Sequence, residues 1–509
     1  MFLKSKSKKT AIVLSYCSLI LQTLSTMVLT RFYLQELGVD SYGLYQMIYS
    51  VAQYILILDL GISTVMTRYI SEYEAIGDKR KAENFAFHFA IIVITVVLVI
   101  TIIGFVINSQ IENIYPNLTL DEYLISHKLF ALMIVQLVFT IISHYFRGLC
   151  EAYERFIFTR TVSIFQIIFN FVLAFILVQS DLGVIGIALA NTVVIVFNTL
   201  ATIIYTLLIA KFHVRFSNWE FSFFKPVFLM MIAMLLQSIV GHVNSSVDKT
   251  ILGIMATKED VAVYAVAATI ITMFNTLPST ISSVFQPAAT RMVVNKASTE
   301  QMTDFVIRPG RIQFIITGGF IAGFFVFGKD FISCWAGKGM KAAWVYVLLI
   351  LLPNMVPLVQ NNCLAILNAM DKRIYRSVIL LGTTLLNVLL TILLVDRLGP
   401  IGAPISTGIS YIVGHCILMN IYYQKKIGLN VRKMFVGIFK KIWICVVSSL
   451  LITLPLTYWN CNGNWLVLFA KALIYCIIYA LLLFVYGLND FEKSTLKDIK
   501  NKVLYKVKK

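Results

Sequence analysis

Charge is scarce in this chain of 509 residues: only 13% are Asp, Glu, Lys or Arg, about half the roughly 25% of a soluble domain. With 59% hydrophobic residues and a mean hydropathy of +0.83, that shortage excludes a water-soluble enzyme. The eight cysteines, Cys17, Cys150, Cys334, Cys363, Cys416, Cys445, Cys461 and Cys476, form no CxxC pair and no Cys/His cluster. Neither a disulfide framework nor a metal site is expected. P-loop, HExxH, Ser-His-Asp and EF-hand patterns are absent, so no catalysis and no resident cofactor is expected. Strict apolar/polar alternation is missing too, which argues against a transmembrane barrel.

What is present is long apolar runs. They fall at 11–30, 43–66, 85–107, 129–146, 161–178, 184–210, 227–247, 261–285, 312–328, 344–366, 377–395, 401–422, 442–458 and 465–486. One helical crossing takes about 20 such residues. The expectation is an all-α membrane protein with 14 transmembrane helices and short loops. The 43 Lys and Arg against 25 Asp and Glu read as topology, not as a nucleic-acid surface, because cytoplasmic loops retain basic residues. With the N-terminus inside, the inner segments hold 34 Lys and Arg and the outer ones 8. Both termini are then cytoplasmic. Trp344, Trp443, Trp459 and Trp465 stand at run ends, where an interfacial belt places them.

The chain repeats itself at an offset of about 217. Arg160-Thr-Val-Ser, Asn170, Val178 and Leu182-Gly183-Val-Ile-Gly186 return as Arg376-Ser-Val-Ile, Asn387, Val395 and Leu398-Gly399-Pro-Ile-Gly402. Two parallel six-helix repeats plus two C-terminal helices follow, because an even number of spans gives both copies one orientation. The boundaries read as 1–213 for the first lobe, 225–427 for the second, 438–487 for the extra helices and 488–509 for a basic cytoplasmic tail. In the tail Leu496, Ile499, Val503 and Val507 share a face among lysines, a pattern suited to anionic membrane lipids.

Polar residues inside the runs line up on helical faces. Ser15, Ser18, Gln22 and Ser25 form one stripe; Tyr42, Gln46, Tyr49 and Gln53 a second; Gln237, Gly241, Asn244 and Asp248 a third. Thr272, Asn275, Ser279, Ser282 and Gln286 form a fourth. Interhelical hydrogen bonding explains such residues, as does the lining of a hydrated cleft; the length of the stripes and their amides favour the lining. For Asn170, Asn191, Asn198 and Asn387 the interhelical reading is preferred. Arg31 and Lys249 end the first and seventh runs on the outer side, against the charge trend, and Arg68 and Arg291 end the second and eighth on the inner side. Cations at both mouths suit an anionic solute, although snorkelling to headgroups accounts for Arg68 and Arg291 equally well. Asp59 is the one acid well inside a run, a candidate for H+ or Na+ coupling or for pairing with a cation. Asp248 is a second coupling candidate, or a local partner of Lys249. His88 and His242 read as packing histidines.

The 6+6+2 plan, with Arg31…Leu37-Gly38…Tyr42-Gly43-Leu44-Tyr45 and Asp59-Leu-Gly61…Arg68-Tyr69, resembles the bacterial polysaccharide repeat-unit flippases of the O-antigen (Wzx) type. These belong to the MOP exporter superfamily, with a MATE-like fold. The resemblance implies a lipid-linked oligosaccharide, an undecaprenyl-diphosphate-linked repeat unit, moved across the inner (cytoplasmic) membrane by alternating access. It implies a polysaccharide polymerase or assembly complex as partner, and its cavity cations fall by position on Arg31, Lys249 and Arg291. A lipid II-type flippase and a cation-coupled drug exporter are the nearest alternatives; an envelope assembly scaffold or polymerase subunit is the alternative that does not transport.

Overall fold

In the computed structural model the described residues are 2–219, 223–370, 373–459, 461, 463–490 and 492–494. The amphipathic tail face from Leu496 to Val507 lies outside them. No strand occurs among the described residues, and each of the fourteen apolar runs lies on helix. The chain is a multi-pass, all-α membrane protein.

The helices are α1 (Phe2–Glu36), α2 (Gly38–Ile55), α3 (Ile62–Ile76), α4 (Lys79–Ser109), α5 (Ile111–Ile114), α6 (Leu120–Ala152), α7 (Phe156–Gln179) and α8 (Val184–Ile204). Then come α9 (Phe224–Met255), α10 (Lys258–Val294), α11 (Thr299–Trp335), α12 (Ala343–Val359), α13 (Asn361–Ala369) and α14 (Arg373–Leu398). Last are α15 (Gly402–Tyr411), α16 (Met419–Tyr422), α17 (Val431–Phe439), α18 (Ile442–Thr453) and α19 (Trp465–Leu482).

Among the described residues, eleven helical segments are long and apolar enough to cross a bilayer, or twelve if the bent pair 431–439 and 442–458 is one span. The difference from fourteen has two sources. One segment, Tyr375–Ile427, has 53 residues, more than twice what the hydrocarbon requires. It turns at Gly399, with φ +70°, and so carries both the eleventh and the twelfth runs. The eighth run lies on α10, which is not among the eleven.

The second apolar run is not one continuous helix. Leu56–Asp59 tightens into a 3-10 turn, and Leu60 and Gly61 adopt left-handed φ of 51° and 68° before α3 begins. A side chain at Gly61 would strain that backbone, and its Cβ would lie 2.7 Å from the Met234 side chain. Asp59, expected deep inside an unbroken span, therefore sits at a helix break.

The glycines of the sequence repeat perform the same task twice. Gly183 and Gly399 both take positive φ, 49° and 70°. A Cβ on Gly186 would meet the Leu177 carbonyl oxygen at 2.5 Å, and one on Gly402 the Leu394 carbonyl oxygen at 2.4 Å. In each copy a left-handed turn and a close backbone approach close a helical hairpin. Each hairpin is then tied by the repeated asparagine: Asn170 Nδ2 donates to Asn191 Oδ1 at 2.7 Å, and Asn387 Nδ2 to Thr407 Oγ1 at 3.1 Å. Asn198 Nδ2 donates to Gln166 Oε1. The interhelical reading of these asparagines holds.

The chain forms two compact units. The first takes the residues up to Ala265 together with Val388–Ala403; the second takes Val266–Asn387 and the chain from Pro404 onward. In the second unit α11 is the hub. Gly319 and Gly323 leave room for the rings of Tyr479 and Tyr475, whose hydroxyls donate to the carbonyls of Ile315 at 2.7 Å and Gly319 at 2.6 Å. Lys471, fully buried in α19, donates to Asp330 Oδ2 of α11 at 2.6 Å. The two helices beyond the repeats are thus anchored through α11. In the loop before α19, burial and the Asp330 carboxylate, which accepts from the thiol at 3.3 Å, push the Cys461 thiol up to about 11.

Candidate functional site

The first unit brings α2 against the C-terminal half of α9. Gly43 lets α2 also approach the start of α10: a Cβ there would lie 2.1 Å from the Lys258 carbonyl oxygen. Lys258 is also ion-paired to Glu122, the capping-box residue that opens α6. Tyr115, just beyond α5, reaches the same contact; its hydroxyl donates to the Met47 carbonyl at 3.2 Å, and its ring lies against Gly253.

Two of the cleft residues expected from sequence meet here. Lys249 Nζ donates to Gln46 Oε1 at 3.3 Å, and Gln46 Nε2 donates to the Tyr42 hydroxyl at 3.0 Å. The ammonium also lies over the Tyr49 ring, 5.7 Å from its centroid. Tyr42, Gln46 and Tyr49 share one face of α2, so the polar stripe read from spacing receives the lysine. Lys249 is 9% exposed, and no carboxylate lies within ion-pair distance of it among the described residues. Its neighbour Asp248 points elsewhere: the carboxylate accepts from the hydroxyls of Tyr264 and, at 3.0 Å, Thr391. Below this layer Ser50, Tyr54 and Thr250 join α2 to α9 through their hydroxyls at 2.8 and 3.2 Å.

One to three turns N-terminal to Lys249 on α9, an open cavity of about 450 Å³ is lined by Gln53, Gly61, Gln237, Gly241, His242 and Ser245, among others. Gln53 of the second stripe and Gln237 and Gly241 of the third are among these lining residues. At its edge the helix break carries Asp59, whose Oδ1 lies 2.8 Å from His144 Nδ1 of α6. Both side chains are partly exposed.

The remaining expected residues fall in varied places. Arg31 is partly buried near the end of α1. Arg68 is exposed on α3, with Nη1 3.6 Å from Met230 Sδ and the guanidinium over the Tyr69 ring. Arg291 is exposed near the end of α10. Gln22 is exposed and donates to Thr26 at 3.3 Å, and Asn244 is exposed one turn before Asp248. Asn275, in the second unit, accepts from Asn354 of α12 at 2.7 Å. His88 packs among Phe87, Phe216 and Phe223, its Nδ1 2.8 Å from the Asn84 carbonyl.

Sequence reasoning did not reach His144, Tyr264 or Thr391. For His144 a signal existed, an ionisable residue inside the fourth run. Tyr264 and Thr391 carry no such mark, being ordinary polar residues in apolar helices. No group of three or more His, Cys, Asp or Glu residues able to hold a metal occurs among the described residues.

This arrangement of helices is the fold of MATE-type transporters and of a lipid flippase. The solved lipid II flippase MurJ, in an inward closed conformation, is similar with a TM-score of 0.71 at 12% identity, covering 93% of this chain and 98% of that one. An inward-facing multidrug resistance MATE family transporter of the MOP superfamily gives 0.65 at 16% identity, over 80% and 96%. The Vibrio cholerae MATE transporter VcmN in its bent form gives 0.53 at 14%, over 84% and 98%. No curated protein matches the chain. The family itself is set by sequence: the model of the polysaccharide biosynthesis protein family matches residues 8–293, more than half of the chain, which belongs to that family.

Proposed function

We propose that the chain is a flippase for a lipid-linked oligosaccharide, moving an undecaprenyl-diphosphate-linked glycan repeat unit from the cytoplasmic to the outer leaflet of the inner membrane by alternating access. The observation that carries this reading is Lys249. A buried ammonium answered only by an amide and an aromatic face is costly to hold, and an anionic ligand offsets that cost. The polar cavity beside it suits hydroxyl-rich cargo, which cannot cross hydrocarbon unaided. Membership of the polysaccharide biosynthesis family supports a glycan as the cargo. Arg31, Arg68 and Arg291 are proposed as further cationic contacts, Gln22, Gln46, Gln53, Asn244 and Asn275 as glycan contacts, and Asp59 and Asp248 as H+ or Na+ coupling residues. Fourteen crossings with both termini cytoplasmic complete the proposal, with a polymerase or assembly complex as the receiving partner.

Lys249→Ala and Arg31→Ala should each reduce glycolipid translocation in proteoliposomes while leaving insertion intact. Normal export by the double variant at normal expression would remove the anion role. Cysteine labelling should place loops 67–84, 147–160, 286–311 and 423–441 inside, and 109–127 and 329–343 outside. Termini on opposite faces would overturn the topology. Asp59→Asn should abolish any response to a pH or Na⁺ gradient, and Asp59→Glu should retain part of it; an unchanged response assigns the Asp59–His144 pair a packing role.

A further inference from the structure

Two cavities in the first unit share a wall. One, of about 290 Å³, lies where the start of α4 and the ends of α6 and α8 come together, and three cations line it: Lys79, Arg155 and Lys211. The other, of about 460 Å³, is a groove whose lining includes Tyr145, Phe146, Leu207 and Val214. Phe212 and His213 line both, so the short segment after α8 divides the charged chamber from a mostly apolar groove, whose lining also includes Arg215.

Lys79, Arg155 and Lys211 are exposed side chains that line the chamber. None of its three cations has a carboxylate within ion-pair distance among the described residues. Two acids also line it. Glu74 accepts from the Tyr153 hydroxyl at 2.8 Å; Glu83 makes no ion pair among the described residues. The backbone at Glu154 and Lys211 takes left-handed φ of 56° and 51°, uncommon for residues with a Cβ. Both residues are exposed. All the contributing segments are helix ends, which on the membrane-spanning reading puts the chamber at interface depth.

We infer that this pair of cavities binds one glycerophospholipid, its phosphodiester among Lys79, Arg155 and Lys211 and an acyl chain along the groove past Phe146 and Leu207. Arginine meets phosphate oxygens bidentately, and lysines add point charge. Glu83 lines the same space, so a headgroup with an N–H or O–H gains a hydrogen bond there that one without cannot form. Ethanolamine and glycerol carry one; choline does not. Scattered basic residues at an interface would attract any anionic lipid, but they would not select a donor-bearing headgroup or require an apolar groove. The inference rests on the membrane-spanning reading alone and not on transport.

The test is native mass spectrometry of the full chain released from detergent, titrated with dioleoyl phosphatidylglycerol, phosphatidylethanolamine or phosphatidylcholine, and with glycerol phosphate as a chainless probe. Wild type should retain the first two at least about tenfold more tightly than phosphatidylcholine, the scale of one charge-assisted hydrogen bond. The variant K79Q/R155Q/K211Q should weaken all three lipids together, Arg155→Lys should keep part of that affinity, and Glu83→Ala, which removes the acceptor, should bring the three lipids to one level. Leu207→Trp, which fills the groove, should weaken both preferred lipids without changing glycerol phosphate binding. A control, Lys338→Gln with Lys341→Gln, should leave the preference intact. Equal retention of the three lipids by wild type would overturn the inference, as would a control that loses as much as the triple variant. Glycerol phosphate bound as tightly as the lipids would make this a free-phosphate site and also overturn it.

Discussion

Arg311 and Glu492 form a two-pronged ion pair: Nε donates to Oε1 at 2.7 Å and Nη2 to Oε2 at 3.2 Å. The guanidinium is buried, and its remaining hydrogens go to the carbonyls of Gly437, Lys440 and Gly487, each at 3.1 Å. Those carbonyls lie at the ends of helical segments, where helix geometry leaves oxygens without partners. One side chain of α11 thereby caps the chain around α17 and the end of the last helix.

Arg311→Ala should therefore cost about 3–5 kcal/mol, the usual price of breaking a buried pair from one side, and lower the unfolding temperature of the purified protein. Glu492→Gln should cost less, because the guanidinium keeps its three carbonyls. Equal stability of wild type and Arg311→Ala in a thermal unfolding assay would contradict the capping role.

Lys249→Met should separate stability from function. Removing a buried ammonium that has no carboxylate partner should raise resistance to unfolding by about 1–3 kcal/mol, while glycolipid translocation falls. A loss of both stability and transport would mean that the lysine is part of the packing and not a ligand group.

Gly43→Ala should disturb the contact of α2 with the start of α10. A methyl group 2.1 Å from the Lys258 carbonyl oxygen forces the backbones apart, at about 1–3 kcal/mol for an overpacked site. A cysteine placed at Lys258 should then gain reactivity toward a water-soluble maleimide relative to the same cysteine with Gly43 intact.

Cys461 should resist alkylation at pH 8, because only a thiolate reacts and its thiol is held up to about 11 by burial and by Asp330. Labelling should rise only as pH approaches that value. Asp330→Asn removes a negative neighbour and should move the onset to lower pH.

Much of this was legible in the sequence because apolar runs in a bilayer have one economical form, and because glycines repeated at a fixed offset mark the same turn twice. The stripe through Gln46 was legible for a similar reason: helical spacing says which residues share a face. Partnerships across the chain were not. Nothing local links Asp59 to His144, 85 positions away, and Arg311 reads as one more basic residue beside an inner loop, since most of its acceptors are backbone carbonyls that any sequence supplies. The break at Leu60–Gly61 was hidden because one glycine inside an apolar run is compatible with a continuous helix; the closeness of Met234 and the left-handed φ appear only in three dimensions.

That break has a consequence for hydration within the membrane. Interrupting a helix at this depth leaves amide hydrogens and carbonyl oxygens without helical partners, and hydrocarbon cannot supply any. They must meet protein or water, and the cavity at Gly61 admits water. Water in that cavity would meet both the open backbone groups and the nearby Asp59, so the break ties the hydration of the backbone to the hydration of a carboxylate.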